Sequence, residues 1–550
     1  MFVLELSTVT ASEKKWSVFF VVEENVSIFA VKINNIHIDM VGYKKSVSAF
    51  VLMCIMSVPC VYGQGIVHPS IGTEVSTPEG LKVRLVGRHQ QYAMSMDGWD
   101  EDINSPKSIN IHPNGSKYYV NSLEGCRTIA YDMATHKKLA VINHRFDGSE
   151  KELWAKPSGL YNFTHYGGSD GLNVNAFMGK PVESCFTHGG RYLWVPYYRR
   201  TFDINAQDPS AIAVIDTEKD CIIRMLETGP LPKMIATSHD GKTVAVAHWG
   251  NNTVALIDVS SSSPADWHHK KMLVVDYILP LNYSTTVSVD RDNGSGYALR
   301  GTVFTPDDRY LLVGCMGGTG GIAVIDLQNG KYLGRVKGMM DNVRHLVIRD
   351  GNLYLSINAA GCIQKIKLDD FLQAACRMDG ANNKLVTVGG WQTCQVGKGA
   401  RTIELSPSGR YAFAACNNAS KLCVVDTREM KLITSINADS YPVGLDISED
   451  GRYVIITSQG RSGGGGNAVD IFEITYPEPE PITKEGMAAL NVKDDASSLS
   501  DADSSAMADS AGEGADAESA TAKEYMAYAG GGLAVILVGL LAYKALHKKG

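Results

Sequence analysis

The stretch GARTIELSPSGRYAFAACNNASKLCVVDTREMKLITSIN, residues 399–437, decides the fold. Four short apolar runs, ARTIEL, RYAFAAC, KLCVVD and KLITSIN, alternate with polar turns. Runs of this length between Gly-, Asn- and Asp-containing turns read as antiparallel strands. A lone four-stranded sheet cannot cover both its faces, so the segment needs neighbours of its own kind.

Those neighbours are in the chain. Equivalent openings occur as SPKSINIHPNGSKYYV (105–120), KPVESCFTHGGRYLWV (180–195), LPKMIATSHDGKTVAV (231–246), ALRGTVFTPDDRYLLV (298–313), NVRHLVIRDGNLYLSI (342–357) and YPVGLDISEDGRYVII (441–456). Each is followed by a third run closing on an acid. A landmark residue near each opening is Lys107, Val182, Lys233, Arg300, Arg344, Arg401 or Val443. The closing acids are Asp132, Asp216, Asp258, Asp326, Asp369, Asp426 and Glu473, which follow their landmarks by 25, 34, 25, 26, 25, 25 and 30 residues. Four strands repeated seven times is the pattern of a seven-bladed β-propeller, an all-β fold. The last copy lacks a clear fourth strand. GLKVRLVGR (80–88) supplies one from the N-terminal side and closes the ring, which removes exposed sheet edges.

The segments SPSGRYAFAACNNASKLCVVDTREMKLITSI and HDGKTVAVAHWGNNTVALIDV, with YYVNS at 118–122, resemble YVTN-type β-propeller repeats, as in YncE-like and surface-layer propeller proteins. The resemblance spans about 100–476 and implies the fold. It implies no single role, because such propellers serve many.

Composition agrees with a folded exported domain. Hydrophobic residues make up 44% and charged residues 20% of 550, which excludes a wholly disordered chain and a multi-span membrane protein. The net charge of −7 argues against nucleic acid as a partner. Residues 1–39 read as an over-extended start. MVGYKK followed by SVSAFVLMCIMSVPCVYG (40–63) reads as a signal peptide. The propeller occupies 64–476. Residues 477–524 form an acidic Ser/Ala/Asp linker, too poor in large apolar residues to fold. An apolar run over 525–543 is long enough to span a bilayer, and the basic tail 544–550 stays on the cytoplasmic side. The expected topology is a monomeric propeller held at the extracytoplasmic face of a membrane, periplasmic or on the cell surface.

Function should lie where the inner strands begin. The seven landmarks ring one mouth, and five are cationic: Lys107, Lys233, Arg300, Arg344 and Arg401. Loops between second and third strands add Arg199, Arg200, His248 and Arg461, with Trp249, Asn358 and Asn417. The longest insertions, about 143–181, 282–299 and 377–400, are expected on the same face, whereas the opposite face has short turns. Converging cations focus field on an anion, and Arg clamps carboxylate or phosphate bidentately. The expected partner is an anionic ligand (glycan, phosphate or carboxylate) or an envelope protein. Alternatively, Glu183, Glu404 and Asp446 neutralise the ring.

No Cys or His spacing holds a metal or a c-type haem, and no cofactor is expected. An enzyme, lactonase-like or of quinoprotein or haem type, is the competing function, with His248, His345 and Glu183 as candidates. An adhesion module is a third. Cys416 and Cys423 flank a hairpin loop and could form a disulfide in an oxidising compartment.

Overall fold

The computed structural model describes residues 66–161, 175–203, 206, 208–280, 291, 294–460 and 465–478, with the backbone of three further strands, Ser17–Val21, Ile28–Lys32 and His37–Met40. Those three pair with one another in a separate antiparallel sheet. Nearly all of the expected signal segment, the linker beyond 478, the apolar run 525–543 and the basic tail lie outside the described residues. Among the described residues no helix is long and apolar enough to cross a membrane.

Seven sheets follow. Blade one runs outward as Pro106–Ile111, Lys117–Ser122, Arg127–Asp132 and Lys138–Asn143. The inner strands of the next five blades are Cys185–Thr187, Pro232–Thr237, Leu299–Phe304, Val343–Arg349 and Ala400–Leu405. Blade seven consists of Pro442–Ile447, Tyr453–Ser458 and Ala468–Thr475, then Lys82–Gln90 and Glu74–Ser76. The N-terminal strand thus closes the ring, pairing from Ala468↔Gln90 to Thr475↔Lys82.

The second and third strands are largely buried because neighbouring blades cover both faces. Tyr411–Cys416 is buried along its length. The apolar core falls into seven clusters, one at each blade interface. Tyr119 meets Leu193 between blades one and two, and Phe413 meets Phe472 between six and seven.

The recurrent acid at the end of the third strand has a local cause. Asp216 accepts hydrogen bonds from Glu218 N and Lys219 N, and Asp426 from Arg428 N and Glu429 N. The carboxylate caps the turn that leads to the fourth strand. Asp369 departs from this pattern. It sits in the first turn of a helix, Leu368–Ala375, where an acid suits the helix dipole. The helix packs Phe371 and Ala374 into the core between blades four and five.

That helix overturns one sequence expectation. The insertion around 377–400 does not open on the face where the inner strands begin. It leaves the far end of the third strand of blade five, and Leu385–Thr387 runs parallel to Lys331–Lys337 as a fifth strand of blade four. The chain then returns as Gln392–Gln395 to complete blade five.

The inner strands approach closely beside the landmarks. A Cβ on Gly444 would lie 2.7 Å from Lys107 O and 2.6 Å from Thr457 Oγ1, the first of them backbone. Gly444→Ala is therefore expected to cost about 1–3 kcal/mol by overpacking. An unchanged urea midpoint would refute this.

Candidate functional site

The landmarks hold the ring together before they offer it anything to bind. Their backbone carbonyls accept hydrogen bonds from adjacent blades. Ser108 Oγ donates to Val182 O, Ser356 Oγ to Arg401 O, Thr402 Oγ1 to Val443 O (2.8 Å) and Thr457 Oγ1 to Lys107 O (3.2 Å). Arg300 Nη1 donates to Lys233 O at 3.0 Å. Side chains one blade away thus satisfy buried carbonyls and fix the blade register.

The landmark side chains converge. Lys107, Arg300 and Arg401 are almost wholly buried, and Lys233 and Arg344 partly so. Arg300 Nη2 pairs with Glu183 Oε1 at 3.0 Å. Arg344 Nη1 contacts Met316 Sδ at 3.2 Å. Lys233 Nζ lies 4.1 Å from the Tyr198 ring centroid and 5.1 Å from that of Trp249. The Arg401 guanidinium stands 6.0 Å from the Tyr441 ring. Arg344 Nε and Arg401 Nε are buried with no hydrogen-bond partner among the described residues.

Each cation feels the others. Burial, then the charges of Arg401 and Arg300, hold Lys107 well below the ordinary lysine value. Burial and the charges of Arg300, Arg344 and Arg401 do the same to Lys233. Arg344 is lowered by burial and by Arg401 and Arg300, and Arg401 is pushed down to about 10 by burial and Arg300. Burial alone would raise the Glu183 carboxyl, but Arg300, Lys107 and Arg401 outweigh it and keep it ionised. Among the described residues, five cations from five blades therefore face one bonded carboxylate.

The other two candidate counter-charges do not neutralise the ring. Glu404 and Asp446 lie three residues further along their inner strands, and neither makes an ion pair among the described residues. Burial, then the charge of Asp446, raises Glu404 to about 8. Burial raises Asp446 to about 7 against hydrogen bonds from Ile111 N and Ile447 N.

This sets a pH dependence. Both carboxyls bind protons more tightly in the folded protein than in the unfolded chain, where they titrate near pH 4. Their stabilisation is complete below that value and is lost as pH rises through about 7 and 8. The urea midpoint is expected to fall between pH 5 and pH 8.5, and less so in Glu404→Gln. Equal slopes in the two proteins would refute the assignment.

The remaining predicted site residues separate. Arg199 lies at the ring, its guanidinium 5.6 Å from the Tyr198 ring that also carries Lys233. Arg200 does not join the landmark cations. It is fully buried, paired with Asp208 and bonded to Pro209 O at 2.7 Å, with the Phe202 ring 4.6 Å away. His248 is likewise structural. Its ring nitrogens bond Thr228 Oγ1 and Thr253 Oγ1, both at 2.8 Å, and burial lowers it to about 3. Arg461 lies outside the described residues.

His345 adjoins the ring and is held neutral, at about 4, chiefly by burial, while Glu183 acts in the opposite sense. Sequence reasoning also missed Tyr198 and Tyr441 as ring partners. Among the described residues no group of three or more His, Cys, Asp or Glu side chains could hold a metal. Cys416 and Cys423, which the sequence offers as a possible disulfide, are not bonded to each other in this structure. They occupy diagonal positions on adjacent strands, and Cys423 Sγ lies 3.2 Å from Val396 O.

No protein-family model matches the chain. No curated protein does either. Among solved structures, hydrazine synthase of Kuenenia stuttgartiensis is similar over 70% of this chain and all of its own, at 14% identity and a TM-score of 0.47. The β-propeller domain of Cps50 (Swd1) from Myceliophteria thermophila is similar over 68% of this chain and 97% of its own, at 12% identity and a TM-score of 0.46. The propeller assignment rests on the seven sheets themselves.

Proposed function

We propose that this protein is a membrane-anchored, extracytoplasmic binding module of the YVTN propeller type, whose cationic mouth takes an anionic ligand or the acidic group of a partner protein. The observation that carries the reading is the ring itself: Lys107, Arg300, Arg344 and Arg401 come together with one bonded carboxylate among the described residues, and two buried guanidinium Nε atoms have no partner there. A low-dielectric mouth of one sign attracts the opposite charge. The anchor and the signal segment come from the sequence alone, and they would confine the search to envelope partners.

The test is a thermal-shift screen of the purified protein against anionic sugars, phosphates, nucleotides, peptidoglycan fragments and divalent metals. Binding to the native state raises the melting temperature by mass action. A hit that disappears in Arg344→Gln/Arg401→Gln places the ligand at the mouth. A flat screen leaves a macromolecular partner as the occupant.

A hydrolase is the second reading, favoured by the buried His345 imidazole, whose Nδ1 has no hydrogen-bond partner among the described residues and which feels the charge of Glu183. It requires ester or lactone turnover that His345→Gln abolishes while folding is retained.

A further inference from the structure

The ring sets not only the sign of its occupant but also the charge and the shape. Five cationic side chains enter from blades one, three, four, five and six, so they surround the occupant rather than approach it from one side. Glu183 balances one of them through Arg300 at 3.0 Å. Beyond it, the carboxyls of Glu404 and Asp446 make no ion pair among the described residues.

A carboxylate is planar and offers two oxygens along one edge, which suits a single Arg fork. It leaves donors on the other sides unanswered. A phosphoryl group carries up to two negative charges and three acceptor oxygens spread around its axis. Arg344 Nε and Arg401 Nε, on neighbouring blades, are the buried donors that await such oxygens. Arg401 is 6% exposed, so water reaches it poorly. The neighbouring rings of Tyr198, Trp249 and Tyr441 keep the surroundings apolar beside the charges.

Resting on the anion reading of the mouth, we propose that it binds a compact phosphoryl oxyanion carrying two or more charges, of the phosphate or pyrophosphate kind, and discriminates against lone carboxylates. Lys107, Lys233, Arg344 and Arg401 hold it, and Glu183 keeps Arg300 in place beside it.

The experiment is calorimetric titration of the purified full chain, at constant ionic strength, with acetate, citrate, inorganic phosphate and pyrophosphate. Each added charge-assisted hydrogen bond should raise affinity by about tenfold or more. Phosphate is then expected to bind about ten times, and pyrophosphate about 100 times, more tightly than acetate. Arg344→Gln/Arg401→Gln should abolish the difference. Arg344→Lys/Arg401→Lys, which keeps charge but loses the fork, should retain part of it and serves if the glutamine pair misfolds.

Acetate binding as tightly as pyrophosphate overturns this inference and leaves the anion reading intact. Citrate binding best assigns the mouth to polycarboxylates and also overturns it. The absence of binding by any of the four overturns this inference and leaves the acidic group of a partner protein as the occupant, whereas binding untouched in both arginine variants overturns the anion reading as well.

Discussion

Glu183→Gln is expected to lower the unfolding free energy by about 3–5 kcal/mol, the range for breaking a buried pair from one side. The reason is the company Arg300 keeps. Its side chain is 5% exposed and that of Glu183 15%, so neither is rescued by bulk water. Without Glu183, the ring keeps its cations and loses the carboxylate bonded to Arg300. Two controls separate this from simple misfolding. Added salt should restore part of the loss, because it screens repulsion. Pyrophosphate should stabilise the variant more than the wild type, because the variant ring carries one more net charge. A variant as stable as the wild type at low salt would show that the ring is already discharged, with Lys107 and Lys233 neutral.

A chain beginning at Gln91 is expected not to fold cooperatively. Removing Lys82–Gln90 strips blade seven of its fourth strand and leaves Ala468–Thr475 as a bare edge. It also takes Leu81, Val83 and Leu85 from the core they share with Phe413 and Phe472. Each such side chain contributes about 1.5–3 kcal/mol by burial. Arg88 goes too, whose Nε bonds Asp470 Oδ1 at 2.6 Å, and two buried carboxylates, Asp439 and Asp470, lose that cation. The combined loss is comparable to the stability of a typical domain. Near-ultraviolet circular dichroism and urea unfolding check it, and a truncated chain with the wild-type midpoint would refute the closure. Leu85→Ala is the graded version, at about 2–5 kcal/mol.

Much of the site is legible in the sequence because it sits at a fixed phase of a repeat. Lys107, Lys233, Arg300, Arg344 and Arg401 share one position in the strand pattern, and the ring brings equal phases to equal heights. Arg200 and His248 depart from expectation for a related reason. Both stand at the end of a second strand, where sequence phase does not tell which way the side chain turns. Arg200 finds Asp208 eight residues on, and His248 finds Thr228 at the end of the outer strand of the preceding blade; both turn inward to bury hydrogen-bonded groups.

The sequence by itself determined the four-stranded unit, its seven copies, the closing N-terminal strand and the cationic landmarks. Alternation, turn residues and spacing are local properties, and seven copies of one local pattern leave few ways to bury it. Only the tertiary structure decided that Glu183 is the carboxylate bonded to a landmark cation among the described residues, that Glu404 and Asp446 favour their protonated forms, and that the 377–400 insertion wraps the rim of blade four. Those outcomes depend on which groups are brought together from distant blades and on how much water remains between them. Neither is written in any one segment of the chain.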